Sequence, residues 1–280
     1  MEIAVHEEYA RLKEAHRAAL ERLSTLLCTY DDQILQQKPY WEAKYTETFG
    51  VLDQQCYAAF VRSAELRRRI ALARAYMNRG AEPDAAAIDA QIAQEFREYE
   101  EQLRQMEEER ARAAQILGAK EMSDEDTKRF KHLYRQLAKK LHPDLHPERT
   151  AEMKKLWQRA MDAYALGDLA RLEILAAIVE SKYADADTAA AGDGQNVTAS
   201  VLEELRAALA KTEERIRKCL SALERLEQEH PFKHRALLEN PQAVDERKTE
   251  LKHQIAHYMA ECRELEMQLA MMQGRGGVVH

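Results

Sequence analysis

The chain has 280 residues, of which 45% are hydrophobic and 32% are charged, and its formal net charge is −7 at pH 7. It contains only 9 Gly and 6 Pro. This scarcity of chain-breaking residues excludes a β-sandwich, a loop-rich disulfide scaffold and a nucleotide-binding fold built on glycine loops. Strong helix formers such as Ala, Leu, Glu and Arg dominate instead. The composition therefore predicts an all-α protein whose long helices pack along apolar seams.

Residues 1–112 are predicted to form an amino-terminal helical bundle or coiled coil. A first helix covers residues 3–30, and two further helices flank a turn at Gly80, with Asp84 as the cap of the second. If these two helices fold back on each other around Gly80, apolar residues meet in one register. The pairs are Ile70 with Ile92, Leu66 with Phe96, Ala59 with Leu103 and Cys56 with Met106. In this interpretation the first helix joins the same bundle.

The helix predicted to begin near Ser123 differs from the others in its charge. Between residues 128 and 140 six Lys and Arg residues occur without a carboxylate, while four apolar residues recur at steps of three and four. The cations are Lys128, Arg129, Lys131, Arg135, Lys139 and Lys140, and the apolar residues are Phe130, Leu133, Leu137 and Leu141. Such a run is either a solvated helix face or a surface that binds an acidic partner.

Pro143 is predicted to end this helix, because proline disfavours helical conformation in itself and in the preceding residue, His142. A second amphipathic helix begins near Thr150. The pattern therefore predicts two antiparallel helices joined by a loop that contains His142, Pro143 and Asp144. Taken by itself, Asp144 is either a loop or capping residue or a partner contact.

The rest of the chain is predicted to contain a flexible linker at residues 183–199, a coiled-coil hairpin at 200–273 and a disordered tail at 274–280. The hairpin is based on heptad spacing on both sides of a connection that contains proline. Its antiparallel register pairs Leu226 with Ile255, Leu223 with Tyr258, Cys219 with Cys262 and Ile216 with Leu265. The same stripe also suits a parallel dimer, so both a monomer and a coiled-coil dimer remain open.

Four features between residues 113 and 182 occur together in one known family. Residues 115–118 (QILG) are similar to its short first helix, and residues 133–144 (LYRQLAKKLHPD) to its second helix and signature loop. Trp157 stands where the family usually has Phe, and residues 162–164 (DAY) match its Glu-Ala-Tyr. This segment resembles a J-domain, the module that docks onto DnaK-type (seventy-kilodalton heat-shock) chaperones. The predicted fold is thus all-α, with helical bundles and coiled-coil hairpins flanking a central J-domain.

The resemblance implies a mechanism and a set of site residues. The family's basic helix docks onto an acidic surface of the partner's ATPase domain, and the His-Pro-Asp loop then favours the conformation that hydrolyses ATP. The chain itself is therefore predicted to be no enzyme and to need no cofactor. The implied partner-binding residues are Lys131, Tyr134, Arg135, Lys139, Lys140, His142, Pro143 and Asp144. The implied core residues are Leu133, Leu137, Leu141, Trp157, Ala160 and Tyr164.

The segment also departs from the family pattern at two places. Leu145 and His146 follow the signature where the family usually has a basic or polar pair. Residues 166–172 lead into further helix where the family has a short fourth helix with a Lys-Arg element. Both departures bear on affinity and on the choice of partner. The chain also lacks the family's Gly/Phe-rich segment, zinc repeats and β-sandwich domains, so the helical flanks are the candidates for locating protein clients or partners.

Two other functions compete with the co-chaperone hypothesis. The first is a coiled-coil scaffold or interaction protein with a J-like fold that does not couple to a chaperone. The second is nucleic-acid binding through the basic helix, which is disfavoured because the acidic flanks repel phosphates and no aromatic stacking platform accompanies the cations.

The sequence does not favour a metal site, a disulfide or a membrane span. His142 and His146 are separated by a helix-breaking proline, and His253 and His257 lack a third ligand. Cys219 and Cys262, the seam pair described above, suggest either a disulfide or small buried side chains; the second is favoured because no export signal is visible. No apolar run is long enough to span a membrane. We expect a cytoplasmic protein.

Overall fold

The computed structural model describes residues 2–119, 122–183 and 198–275 of the chain. Within these ranges the regular structure is helical and contains no β-strand, so the prediction of an all-α protein is confirmed. None of the described helices combines the length and the apolar composition needed to cross a membrane. The predicted linker and tail lie largely outside the described residues, at 184–197 and 276–280.

The described helices are numbered in chain order. Their bounds are α1 Glu2–Asp32, α2 Lys38–Met77, α3 Ala85–Leu117, α4 Asp124–Leu141, α5 Ala151–Ala165, α6 Leu169–Tyr183, α7 Ala199–Gln228, α8 Arg235–Leu238 and α9 Pro241–Arg275. A π-helical turn, Gln33–Gln37, lies between α1 and α2, and a 3-10 turn, Phe232–His234, precedes α8.

The chain divides into two compact units that do not follow the predicted domain bounds. Unit 1 combines residues 1–39 with 120–233, which include α1 and α4 to α7. Unit 2 combines residues 40–119 with 234–280, which include α2, α3, α8 and α9. The predicted amino-terminal domain, residues 1–112, is therefore shared between both units. The predicted carboxy-terminal hairpin joins α7 of unit 1 to α9 of unit 2, and this pairing stays a prediction.

In unit 2, α2 and α3 form an antiparallel pair around Gly80. Gly80 has a φ of 70°, a conformation that residues with a side chain rarely adopt. The Asp84 carboxylate accepts a hydrogen bond from the backbone N–H of Ala87 at 3.0 Å and so caps α3. Arg68 forms two hydrogen bonds of 2.7 Å with Glu95 across the pair. The apolar core contains Val61, Ala73, Ile88, Ile92 and Phe96.

In unit 1, α1 and α7 run parallel and share an apolar seam. Leu23 and Leu27 of α1 pack in one cluster with Ile216 and Cys219 of α7. His16 of α1 lies 3.3 Å from the hydroxyl of Thr212, and Glu8 pairs with Arg206 further toward the amino ends. The heptad stripe of α7 therefore finds its partner within unit 1 in α1, a helix that the sequence analysis assigned to another domain.

Helices α4, α5 and α6 enclose the main core of unit 1. Ser123 caps α4, three acidic residues occupy its first turn, and Lys139 and Lys140 occupy its last, so the side-chain charges complement the helix dipole. The rings of Phe130 and Tyr164 are stacked with centroids 4.6 Å apart. Of the predicted core residues, Leu137, Leu141, Trp157, Ala160 and Tyr164 are buried, while Leu133 is partly buried against them.

The ends of the predicted J-domain have a structure that differs from the family pattern. Residues 115–117, expected as a short first helix, are the last turn of the 33-residue α3 in unit 2. Instead of residues 115–117, the structure has Cys28 of α1 and Leu35 of the π-helical turn packed on the core of unit 1. Beyond α5 the chain forms the 15-residue α6, whose residues Leu172 and Val179 are buried in the same core.

The π-helical turn carries Leu35 and Gln36, two residues that contact the core of unit 1. The N–H of Lys38 bonds to the carbonyl of Gln33, five residues earlier. Pro39 follows, and it has no N–H with which to continue the α-helical ladder. Within this turn Leu35 packs on the core, and the side-chain amide of Gln36 donates a hydrogen bond to the carbonyl of Tyr164.

The core assignment predicts a large effect of Leu141→Ala. Leu141 is 0% exposed, so we expect the free energy of unfolding of unit 1 to fall by about 3 kcal/mol. The measurement is urea unfolding followed by Trp157 fluorescence in a Trp41→Phe background, which leaves one tryptophan in the chain. As the control, Leu166→Ala changes a side chain that is 74% exposed and should alter stability by less than about 0.5 kcal/mol. Equal effects would contradict the assignment.

Candidate partner-binding site

The loop that follows α4 is held by its own hydrogen bonds. His142 has an extended conformation, with φ −62° and ψ 135°, as expected for a residue before proline. The backbone N–H of Asp144 donates to Nδ1 of His142 at 3.0 Å, and the N–H of His146 donates to the His142 carbonyl at 2.9 Å. Because Nδ1 accepts a hydrogen bond, a neutral His142 carries its proton on Nε2. The His142 ring therefore fixes the backbone of the signature loop.

His142 is a buried residue, whereas Asp144 is exposed. The His142 side chain is 7% exposed and lies edge-on to Trp157, with ring centroids 5.0 Å apart. Burial lowers the pKa of His142 to about 4, the positive charges of Arg149 and His146 act in the same direction, and Asp144 acts against them. At neutral pH His142 is consequently uncharged. The loop thus presents the Asp144 side chain outward and keeps the imidazole within the core.

One face of α4 meets the end of α1. We call Lys131, Tyr134, Arg135 and Lys139 the α4 basic face, and Glu21, Asp31 and Asp32 the α1 acidic edge. The Nζ atom of Lys131 lies 3.3 Å from Oδ2 of Asp32, and Nζ of Lys139 lies 2.7 Å from Oε1 of Glu21. The Tyr134 hydroxyl donates to Oδ2 of Asp31 at 2.8 Å. These contacts run antiparallel along the two helices, and both lysine contacts pair opposite charges.

The Tyr134–Asp31 contact lies in a buried environment. Tyr134 is 1% exposed, and burial is the main cause that raises its pKa, with the charge and hydrogen bond of Asp31 adding to it. Burial also raises the pKa of Asp31 to about 6, although the hydrogen bond from Tyr134 acts against this shift. Next to it the hydroxyl of Tyr164 donates to Oδ1 of Asp32 at 2.6 Å. The two adjacent aspartates thus accept from two buried tyrosines.

The loop is also held from the side of α7. Leu145 packs against the α1–α7 seam formed by Leu23, Leu27, Ile216 and Cys219. Nη1 of Arg215 donates to the backbone carbonyl of Asp144 at 2.6 Å. A cavity of about 470 Å³ lies between the loop and the two helices and is lined by His142, Asp144, Asp31 and Arg215, among others. Leu145, a departure from the family pattern, is therefore an apolar anchor of the loop.

The structure brings the predicted partner-binding residues together but exposes only part of them. Arg135, Lys139 and Asp144 are exposed; Lys131, Lys140 and Pro143 are partly buried; Tyr134 and His142 are buried. Lys140 lies outside the α4 basic face and pairs with Glu180 of α6 at 2.6 Å. Among the described residues, Arg135 forms no side-chain hydrogen bond or ion pair, which leaves its guanidinium available to another molecule.

Sequence reasoning did not identify the α1 acidic edge or Arg215 as parts of this site. The available signal was complementarity of charge, since Asp31 and Asp32 end a helix and α4 carries six cations between residues 128 and 140 without a carboxylate. In the parts of the chain that the structure describes, no group of three or more His, Cys, Asp or Glu side chains is arranged to hold a metal ion. All four cysteines are free thiols, and Cys219 and Cys262 are buried.

Comparisons with known proteins find no matching family model, no similar curated protein and no similar solved structure.

The pKa values predict opposite pH effects for two substitutions. Between pH 6.5 and 4 the unfolded chain binds a proton at His142 that the folded protein excludes, so this residue lowers the free energy of unfolding as the pH falls. Asp31 has a folded pKa of about 6, above its usual 3.8, so it raises the free energy of unfolding as the pH falls. In the wild type the two effects largely cancel.

Each effect becomes visible when the other residue is replaced. From pH 7 to pH 4 we expect His142→Gln to gain up to about 3 kcal/mol of stability relative to the wild type, and Asp31→Asn to lose a similar amount relative to it. Urea unfolding at a series of pH values, followed by Trp157 fluorescence in the Trp41→Phe background, measures both. If the free energy of unfolding of both variants changed in the same direction relative to the wild type as the pH falls, the assigned burial of His142 and Asp31 would be contradicted.

Proposed function

We propose that the protein is a cytoplasmic J-domain co-chaperone that docks on a DnaK-type chaperone and stimulates its ATP hydrolysis. The observation that carries the proposal is the loop: His142, Pro143 and Asp144 follow a basic amphipathic helix, and the buried imidazole holds the loop backbone while Asp144 remains exposed. The sequence resemblance is thereby supported by the arrangement of the loop: His142 holds its backbone, Pro143 follows the end of α4, and Asp144 is exposed.

In the proposed mechanism the α4 basic face supplies attraction and the loop supplies the stimulus. Exposed cations such as Arg135 and Lys139 raise the rate of encounter with an acidic partner surface and orient the complex, an effect that salt weakens. Asp144 then contacts the partner in the conformation that hydrolyses ATP. Stimulation follows from tighter binding to that conformation than to others, so this chain performs no chemistry itself. Unit 2 is the candidate region for binding protein clients or targeting partners.

A second function is supported by the contacts of α1. Lys131 and Tyr134 of the α4 basic face bond to Asp32 and Asp31 within the same chain. A scaffold that keeps the J-like fold without chaperone coupling has no need to release these residues. The two functions differ in whether the isolated protein changes the ATP turnover of a DnaK-type chaperone.

The co-chaperone function predicts that His142→Gln abolishes stimulation. The purified full-length chain should increase the ATP turnover of a DnaK-type chaperone, and the variant should lose at least about nine tenths of that increase, because glutamine does not reproduce the imidazole that holds the loop. His253→Gln is the matched control, since His253 is exposed on α9 in unit 2, and it should behave as the wild type. No stimulation over a wide concentration range, either by the wild type or by variants that weaken the contacts between α1 and α4, would favour the scaffold.

The mechanism also predicts a specific role for Arg135 in affinity. Arg135→Glu should raise the concentration needed for half-maximal stimulation by about tenfold or more, because a like charge then faces the acidic partner surface. Its urea unfolding should match that of the wild type, since Arg135 is exposed and forms no side-chain hydrogen bond among the described residues. Arg159→Glu, at an exposed position of α5, is the control. Unchanged stimulation by Arg135→Glu would remove the α4 basic face from the docking surface.

A further inference from the structure

The α1 acidic edge contacts the side chains that the proposed function assigns to an acidic partner. Glu21 pairs with Lys139, Asp32 with Lys131, and Asp31 accepts from Tyr134. The chemistry of these contacts, carboxylates against a basic helix, is the chemistry by which the partner would bind the same helix. An external acidic surface and the α1 acidic edge therefore cannot occupy Lys131 and Tyr134 at the same time.

The coverage extends from α4 to the signature loop. Leu145 lies against the α1–α7 seam, and Arg215 of α7 donates to the carbonyl of Asp144. Because α1 and α7 share that seam, they contact α4 and the loop as a pair. The position after the signature has Leu145 where the J-domain family usually has a basic or polar residue, and a leucine gains from burial in an apolar seam. The burial of Leu145 in the α1–α7 seam thus accounts both for the departure from the family pattern and for the coverage of the loop.

We propose that the α1–α7 pair is an intramolecular competitor that restrains access of a DnaK-type chaperone to the α4 basic face and the signature loop. This inference rests on the proposed function. In the covered state Lys131 and Tyr134 are engaged, while Arg135 and the Asp144 side chain remain exposed as the first points of contact. Full engagement of the partner requires the α1 acidic edge to leave α4, so the apparent affinity is reduced by the fraction of molecules that are covered.

Several features of the contact suit a reversible cover. Lys139 and Glu21 are both exposed, so water and salt compete for their ion pair. Lys131 and Asp32 are only partly buried. Gln36 and Leu35 attach the end of the helix to α5 and the core through separate contacts. Release of the acidic edge breaks the ion pairs at the surface of α4 and the hydrogen bonds from the Tyr134 and Tyr164 hydroxyls. Residues such as Leu137 and Leu141 remain within the α4–α6 core.

The test is a variant that weakens the cover without changing the α4 basic face. Glu21→Lys/Asp32→Asn reverses one charge and removes another, while the asparagine keeps an oxygen that accepts from the Tyr164 hydroxyl. The matched control is Glu7→Lys/Glu14→Gln, which changes the net charge of α1 by the same amount at exposed positions; among the described residues, Glu14 is paired only with Arg17 of its own helix. Arg215→Ala, on α7, weakens the cover at a second point.

Two measurements on the full chain report the outcome. The first is the concentration that gives half-maximal stimulation of ATP turnover by a DnaK-type chaperone. The second is the rate at which a thiol reagent modifies Cys28 in a chain that also carries Cys56→Ser, Cys219→Ala and Cys262→Ser. Cys28 is buried in the core cluster beside α4, and burial raises its pKa to about 11, so it reacts slowly while α1 remains in place.

If the inference holds, Glu21→Lys/Asp32→Asn lowers the half-maximal concentration by about tenfold, as expected when about nine molecules in ten are covered. Arg215→Ala shifts it in the same direction, and the control leaves it unchanged. Cys28 is modified faster in the double variant, and saturating DnaK-type chaperone accelerates its modification in the otherwise wild-type background.

Equal half-maximal concentrations for the double variant, the control and the wild type overturn the inference, whether or not Cys28 becomes reactive, and leave the proposed function in place. If neither the wild type nor any variant stimulates ATP turnover, the proposed function fails and the inference fails with it. Stimulation only by the double variant and by Arg215→Ala supports both, with a cover that is nearly complete in the wild type.

Discussion

The hydroxyl groups of two buried tyrosines need hydrogen-bond acceptors inside unit 1, and this need ties α1 to the three-helix core. The rings of Tyr134 and Tyr164 are stacked with centroids 3.9 Å apart, and their hydroxyls donate to Asp31 and Asp32. A buried hydroxyl without a partner costs about 1–3 kcal/mol. The last turn of α1 is consequently part of the structure of the core, although it lies about a hundred residues earlier in the chain.

The other contacts of unit 1 follow from this anchor. With Asp31 and Asp32 at the tyrosines, the preceding turns of α1 lie along α4, which brings Glu21 to Lys139. The other side of α1 then presents Leu23 and Leu27 to α7, and the seam so formed receives Leu145 from the loop. The π-helical turn beyond Asp32 keeps Leu35 and Gln36 on the core before Pro39, the last residue of the first segment of unit 1. One pair of hydrogen bonds thus sets the register of two long helices.

The contacts between α1 and α4 also bear on how the uneven distribution of charge along the chain is interpreted. Residues 123–160 hold 10 Lys and Arg against 6 Asp and Glu, whereas the chain as a whole has a net charge of −7. A basic segment in an acidic chain is readily interpreted as a surface for an external partner. In unit 1, Lys131 and Lys139 of this segment already pair with Asp32 and Glu21 of the α1 acidic edge. The basic charge is therefore partly neutralised within the chain itself. Any acidic partner competes with carboxylates that are attached to the same molecule.

Much of the core and of the signature loop could be predicted because these depend on local rules. Helical spacing identified Leu137, Leu141 and Tyr164 as core residues, and Pro143 identified the end of α4, since each follows from the period of a helix or from the geometry of proline. The burial of His142 was not predicted, because exposure depends on what packs against a residue. Leu145 looked like a departure from a family pattern until the seam that receives it was known.

The amino-acid sequence by itself determined the all-α class, the capped starts of α3 and α4 at Asp84 and Ser123, and the helix–loop–helix that contains the signature. Only the tertiary structure decided that α7 packs on α1 within unit 1 and that α1 covers α4. The physical reason is that an apolar stripe at heptad spacing fits any similar stripe, so periodicity does not select its partner. That selection comes from pairings between distant residues, here the carboxylates of Asp31 and Asp32 with the hydroxyls of Tyr134 and Tyr164.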